Sequence, residues 1–506
     1  WMLAHRTVPD VDPFSFTFLG EPWIAKEWLS QLLLALAYDG VGWMGVVALG
    51  AAAVAASFAL FLRLLLRDLR PLPALMFTIG AAVMMAPHIL ARPHVLAFPF
   101  MLIWIAGLVR AVEERRGPEP LLLLAMLFWA NMHGGFTLGL MLAGAFALEA
   151  LVGARDSGER KSLFFAWLKF GVASLLVACI TPYGPESILV TGRIFGLGDV
   201  LNTIAEWKSP DFQKQPAQEI VLLVALYLAL SRGLKLPLLR LLIVIGLLHL
   251  YLRHARNAEL LATLAPLALA PLLARQFPML DRDTQAAGTG LFGRVEQLAR
   301  PAGAAATALG LAVMALFATV MLRTVDLQPP AAIMPQAALD WARQNGLLQR
   351  PMLNHYNFGG YLIGAGVPTF IDGRAELYGG DFIRRYNEAI GLRGETKLED
   401  LLERHRIGWT FLTKDAPANR LLARLPRSRH HVSEIQGRPH QRRRGAGLRS
   451  RQGEDEGGHF RAARRRRLLR APPAQRRGEG ALQQGARRQE GAGRTPEMPH
   501  QTRQRR

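Results

Sequence analysis

Acids, imidazoles and guanidiniums gather in a few short stretches of this chain, separated by long apolar runs. The first holds Asp10-Val11-Asp12-Pro13, then Glu21-Pro22-Trp23 and Glu27-Trp28. The second has His88, Arg92 and His94, and the third is Asn131-Met132-His133-Gly134-Gly135. The longest, residues 182–217, carries Tyr183, Glu186, Arg193 and Thr203-Ile204-Ala205-Glu206-Trp207, and the last is Arg253-His254-Ala255-Arg256-Asn257. Carboxylates and imidazoles can take up and hand over protons. An Arg cluster between two apolar runs suits a lipid phosphate, for which guanidinium offers paired donors. Each stretch also has a plainer role. Asp10 and Asp12 flank a Pro turn, and Trp23 and Trp28 suit interface anchors. Arg253, His254 and Arg256 could snorkel to headgroups. His88 and His94 could face water, Glu206 could be a solvated loop acid, and Asn131 and His133 could pack between helices.

The apolar runs must position these groups. The chain of 506 residues is 51% hydrophobic, with a mean hydropathy of +0.16. A bilayer core about 30 Å thick needs roughly 20 apolar residues as helix. The candidate spans are 44–63, 73–90, 95–112, 119–131, 135–152, 163–181, 219–231, 237–252, 257–273 and 303–322. Residues 28–38 read as a helix lying at the interface. Alternate loops carry most of the simple basic residues: Arg63, Arg67 and Arg70; Arg110, Arg115 and Arg116; Arg155, Arg160 and Lys161; Arg232, Lys235 and Arg240; and Arg275, Arg282, Arg294 and Arg300. The positive-inside rule places that set in the cytoplasm. The stretches rich in His, acids and Trp then share the outer side, with residues 1–43 and the chain after 323. A cytoplasmic N-terminus would require one further span before Trp1. Ionisable groups near a bilayer are costly and usually functional, so their concentration at one face points to an active or binding site there.

The expected fold is mainly α: a polytopic transmembrane helical bundle of about ten spans (residues 44–322) with a small C-terminal periplasmic α/β domain (residues 323–426). Within that domain the pattern predicts helices over 335–346, 380–390 and 397–406. It predicts strands over 351–355, 368–372 and 408–413, and a Gly-Gly turn at 359–360. Residues 427–506 contain 22 Arg, no Lys and 7 acids, a charge of +15 out of the total of +21. That tail reads as a disordered, Arg-rich segment or the product of a frameshift. Because the basic charge is concentrated there, no nucleic-acid partner is expected. Cys179 stands alone, so the chain forms no internal disulfide.

Apolar helices, acidic outer loops, a long outer loop late in the bundle and a C-terminal α/β domain resemble the GT-C superfamily of membrane glycosyltransferases. Asp12-Pro13-Phe14-Ser15-Phe16-Thr17, Pro22-Trp23, Glu27-Trp28-Leu29 and Phe370-Ile371-Asp372-Gly373-Arg374-Ala375-Glu376-Leu377-Tyr378 resemble a bacterial subgroup. The resemblance covers residues 1–426. Thr203-Ile204-Ala205-Glu206 is similar to a Thr-Ile-X-Glu motif of the oligosaccharyltransferase catalytic subunit. His355-Tyr356-Asn357-Phe358-Gly359-Gly360-Tyr361 is weakly similar to its Trp-Trp-Asp-Tyr-Gly motif, departing at both Trp and the Asp. In that family an acid also closely follows the first span, a position that falls before Trp1 here.

The resemblance implies an inner-membrane enzyme that takes a polyprenyl-linked sugar donor and a glycan, lipid or protein acceptor. It implies Asp10 or Asp12 as base or metal ligand, with Glu206 assisting, and Arg253, His254 and Arg256 on the phosphate. His88, Arg92, His94 and His133 would line the substrate site, and His355, Asp372 and Arg374 the acceptor side. Mg²⁺ or Mn²⁺ would suit the carboxylates. The competing expectations are a transporter or flippase, which predicts broken helices and midplane charges, and a non-catalytic membrane assembly protein.

Overall fold

The computed structural model describes residues 1–195, 207–284, 303–325, 327–425 and 430–433. Each of the ten apolar segments carries a helix. In chain order the first twelve helices are α1 (Met2–His5), α2 (Trp28–Val41), α3 (Trp43–Leu65), α4 (Pro71–Met85), α5 (Pro93–Glu113), α6 (Leu122–Met132), α7 (Phe136–Val152), α8 (Ser157–Ala178), α9 (Glu186–Phe195), α10 (Pro216–Ser231), α11 (Leu238–Arg253) and α12 (Ala258–Gln276). A further apolar helix runs over Ala304–Thr324. Among the described residues, six helical stretches are long and apolar enough to cross a membrane: Trp43–Leu65, Pro71–His88, Pro93–Glu113, Ser157–Ala178, Ala255–Gln276 and Ala304–Met321. The expected ten spans are thus met only in part, since Leu122–Met132, Phe136–Val152 and Pro216–Ser231 are apolar but shorter. At 1.5 Å per residue, α6 is only about 16 Å long, because Asn131 and the turn after it end the helix early.

Helix α5 is the hub, packed against α3, α6, α7 and α12. Small residues allow close approach, as expected where apolar burial gives helices little mutual preference. Gly139 of α7 lies against the Trp129 ring, and its carbonyl accepts from the buried Trp104 Nε1 of α5 at 2.8 Å. Helix α2 is longer than the predicted 28–38 and packs on α3, α5 and α6. Its Ser30 is buried and donates to the Met132 carbonyl.

The basic loops meet at one end of the bundle. Leu69 pairs with Asp281, Arg115 with Glu159, and Arg275 Nη1 lies 2.5 Å from Glu113. Arg240 departs from its expected role as a simple loop cation. It is fully buried on α11, donates to Glu149 at 2.8 and 2.9 Å and to the Ala268 carbonyl, and stacks on Phe146. The cost of burying this charge is offset because its donors find carboxylates and a carbonyl. It ties α7, α11 and α12 together.

After the last apolar helix, three strands form a parallel sheet in the order β1 (Met352–Asn354), β2 (Trp409–Leu412) and β3 (His430–Ser433). β1 and β2 are buried throughout and mostly apolar, with Asn354 and Thr410 as their buried polar members. Helices Gln336–Gln344, Ala375–Gly391 and Leu398–Arg404 match the predicted ones, and Ala418–Leu422 adds a short fourth. Three expectations fail. Gly359 and Gly360 begin a short helix, Gly359–Gly364, instead of forming a turn. β3 lies past the boundary expected at 426. Residues 368–372 form no sheet strand, because their backbone groups are taken elsewhere: Asn354 Oδ1 accepts from Phe370 N, and Thr369 exchanges backbone bonds with Phe14 and Phe16 of the first loop. That loop is thus part of the sheet-bearing module. Phe18 extends the contact, packing on Tyr378 and Phe382.

Candidate functional site

The first loop and the sheet-bearing module are joined by a buried charge network. Arg374 reaches Asp12 with Nη1 at 2.5 Å, and Asp372 with Nε at 2.7 Å and Nη2 at 2.6 Å. Its guanidinium lies between the rings of Trp23, at 4.7 Å, and Phe14, at 5.2 Å. Both carboxylates are 1% exposed. Asp12 Oδ1 also accepts from Phe14 N, and Oδ2 from Ser15 N and Ser15 Oγ. Asp372 further accepts from Thr369 Oγ1, Arg374 N and the Tyr378 hydroxyl. Burial works against the Arg374 charge, but the bonds to Asp372 and Asp12 outweigh it and its pKa is raised. Burial, reinforced by Asp372, pushes the Tyr378 hydroxyl up as well.

A carboxylate has about four lone-pair sites. Those of Asp12 are filled by four donors, so it does not fit the role of metal ligand or base. Its place is that of a tether across 362 residues of chain. Asp10 is exposed, and its carbonyl accepts from Trp23 N. Among the described residues no three His, Cys, Asp or Glu side chains converge to hold a metal ion.

A second cluster follows directly along both partners. Lys26 Nζ lies 3.2 Å from Glu376 Oε1, two residues beyond Arg374. The next residue, Glu27, ends the loop and opens α2. Its Oε1 lies 3.4 Å from His133 Nε2, and about a fifth of each side chain reaches the surface. Three anchors fix this segment: the Lys26–Glu376 pair, Trp28 Nε1 donating to Asn131 Oδ1 at 2.8 Å, and Ser30 Oγ on the Met132 and Pro93 carbonyls. Asn131 in turn donates to the Leu127 and Ile180 carbonyls, so its amide joins α2, α6 and the end of α8.

The electrostatics of this cluster are unusual. Burial pushes the Glu27 carboxyl above its ordinary range. Lys26 pulls the other way, Glu376 adds to the rise, and Arg256 and Arg92 lower it. Burial, then His94, Arg256 and Lys26, hold the His133 imidazole well below its ordinary value. His133 Nδ1 accepts from Gly135 N at 3.1 Å, which leaves the proton of the neutral ring on Nε2, facing Glu27. The His94 ring lies 6.1 Å from that of His133. Arg256 stacks over Trp207 at 4.6 Å, while His254 Nδ1 donates to the Trp207 carbonyl at 2.5 Å.

Compared with models of known protein families and with curated proteins, the chain matches none.

The structure thus brings His133 to Glu27 and His94 to His133, leaves Arg92 and Arg256 acting on Glu27 through their charge, and seats His254 and Arg256 on Trp207. The Arg253 side chain is exposed. His88 is half-buried at the end of the turn Ala86–His88 after α4. His355 accepts from Asn357 N and packs on Phe358, with its pKa lowered by burial, so its contacts lie within the sheet-bearing module. Asp372 and Arg374 belong to the tether. Glu206, with the rest of Thr203–Glu206, lies outside the described residues. Sequence reasoning noted Glu27 but did not single it out, and it passed over Lys26 and Glu376. The available signal was the dyad Glu27-Trp28 between two Trp-bearing turns; an isolated acid beside a lysine reads as surface.

Proposed function

We propose that this protein is a membrane glycosyltransferase of the GT-C type. It would move a sugar from a polyprenyl-phosphate-linked donor to an acceptor at the periplasmic face of the bacterial inner membrane. The observation that carries the reading is the placing of Glu27, at one end of the helices, 3.4 Å from His133 Nε2, with the His94 ring 6.1 Å from that of His133 and the charges of Arg256 and Arg92 acting on the acid. Such a transfer needs a carboxylate for the acceptor proton and cations for the departing phosphate. In this scheme the acceptor oxygen attacks the anomeric carbon as the bond to the phosphate oxygen breaks. The acceptor proton passes to Glu27, and the charge left on the phosphate is met by Arg256 and Arg92. A carboxyl with a raised pKa is the stronger base once ionised, and neutral His133 orients it through Nε2–H. Half-burial among apolar helix ends suits a lipid arriving from the side.

The transporter reading draws less support, since the ion pairs described within the bundle lie at helix ends and midplane charges are what such proteins use.

The test is transfer from a radiolabelled polyprenyl-phosphate sugar in membranes bearing the wild-type protein, Glu27→Gln or Arg256→Ala. The expected outcome is a loss of about 10²-fold or more for Glu27→Gln and a smaller loss for Arg256→Ala. Undiminished transfer by both variants overturns the proposal.

A further inference from the structure

The Lys26–Glu376 pair does more than join two surfaces. Lys26 precedes Glu27 in the chain, and of the cations acting on that acid its charge has the largest influence. Its ammonium nevertheless pairs with Glu376, on the turn Ala375–Tyr378. That turn is set apart from the rest of its helix by Gly379, whose φ of 72° breaks the helical path. It is held on its other side by the Arg374 tether to Asp12 and Asp372. Both members of the pair are mostly enclosed, at 17% and 14% exposure of the side chain, so solvent screens them poorly.

We propose that Glu376 is a positioning residue for Glu27. By holding Lys26 it withholds the ammonium from the acid, so that seating of the sheet-bearing module on the helix ends sets the acid's proton affinity. The inference rests on the reading of Glu27 as the working acid, and deepens it. The groups that contact Glu27 or act on it through their charge are His133 from the turn after α6, Lys26 from its own loop, Glu376 from the module, Arg256 from the turn before α12 and Arg92 from the start of α5, with His94 behind His133. Of these, Lys26 and Glu376 are charged partners of each other, so one can be altered to release the other. The opposing signs of their influence on Glu27 fit this arrangement.

Two kinds of pair can be told apart. A pair that only glues two surfaces loosens the site when either partner is removed, and both losses change Glu27 in the same sense. A pair that tunes the acid gives opposite changes. Without Glu376, a negative neighbour is lost and Lys26 is free to turn to Glu27, so the acid ionises at lower pH. Without Lys26, a positive neighbour is lost and Glu376 stands alone beside the acid, so it ionises at higher pH.

The experiment uses the full chain in membranes and needs no sugar substrate. A hydrophobic carbodiimide modifies protonated carboxyls, and mass spectrometry of the peptide bearing Glu27 gives its labelling as a function of pH. In Glu376→Gln the labelling midpoint is expected to move down by about one pH unit, and in Lys26→Gln to move up by about as much. The double variant, which loses both charges, returns toward the wild type. It also covers the case in which Glu376→Gln alone, with a half-buried ammonium left unpaired, does not fold. Shifts of the same sign, or no shift in either single variant, overturn the proposal. Opposite shifts in a protein that transfers no sugar would keep the coupling and discard the glycosyltransferase reading.

Discussion

Replacing Arg374 by Met removes the one cation between Asp12 and Asp372 while keeping much of the side chain's apolar volume between Phe14 and Trp23. Breaking a buried pair from one side typically costs about 3–5 kcal/mol, because a charge is left without its partner. Here two carboxylates are stranded, which argues for the upper end. Against that, Asp12 keeps Phe14 N, Ser15 N and Ser15 Oγ, and Asp372 keeps Thr369 Oγ1, Tyr378 and Arg374 N. These local donors soften the loss, so about 3 kcal/mol is the working figure. The damage should be local to the join between residues 12–23 and 369–378. The assay is thermal unfolding in detergent combined with limited proteolysis mapped by mass spectrometry. Arg374→Met should lower the melting temperature and open cleavage sites in the first loop. Arg384→Met is the control: Arg384 and its partner Asp381 are exposed, with Glu388 half-buried, and pairs of an exposed side chain contribute little. In a double-mutant cycle, Asp12→Asn should couple to Arg374→Met by about 1.5–3 kcal/mol, as for a charge-assisted hydrogen bond. Equal melting temperatures for the Arg374 and Arg384 variants, or strictly additive effects in the cycle, would refute the tether.

Glu27→Gln should stabilise the protein at pH 8 while removing transfer activity. A carboxyl whose pKa is raised on folding holds its proton more tightly in the native state, so its contribution is lost as pH climbs from the unfolded toward the folded value; the neutral amide escapes that cost. Melting curves at pH 5 and pH 8 check this, with the variant gaining only at the higher pH. His133 has the opposite sense: its lowered pKa means the unfolded chain binds the extra proton more readily, so native stability falls as pH drops below the ordinary histidine range. His133→Gln should flatten that acid-side loss, and an unchanged acid limb would count against a neutral His133. Gly359→Ala should disrupt the module, since its new Cβ would sit 2.3 Å from Asp372 Cβ and 2.5 Å from Asp372 Cα. Overpacking against backbone costs about 1–3 kcal/mol, visible as a lowered melting temperature or loss of the folded protein from detergent extracts.

The parts of this molecule that were legible in sequence are those that a local rule decides. Apolar length and spacing placed a helix in each of the ten apolar segments, though helix Glu186–Phe195 in the long polar stretch was not expected, and the cores of β1 and β2 fell within the expected strands. What failed was decided by distant partners. Residues 368–372 have strand composition, yet whether they join a sheet depends on Asn354, Phe14 and Phe16 taking their backbone groups first. Arg240 looks like any loop arginine until Glu149 and Ala268 are seen to receive it. The site divides in the same way. Asp10-Val11-Asp12-Pro13 has the look of chemistry, two acids beside a rigid turn, but the enclosed acid is consumed by Arg374, which lies 362 positions away. Glu27 looks ordinary because a lysine precedes it. Only the fold shows that Lys26 pairs with Glu376 and that Glu27 lies beside His133. A carboxylate's role is set by which donors reach it, and its own sequence neighbours are a poor guide when a second segment competes for them. For the same reason acids in such chains are better ranked by unfilled lone pairs than by motif. On that count Asp12 and Asp372 are full, whereas Glu27 retains acceptor sites beside His133.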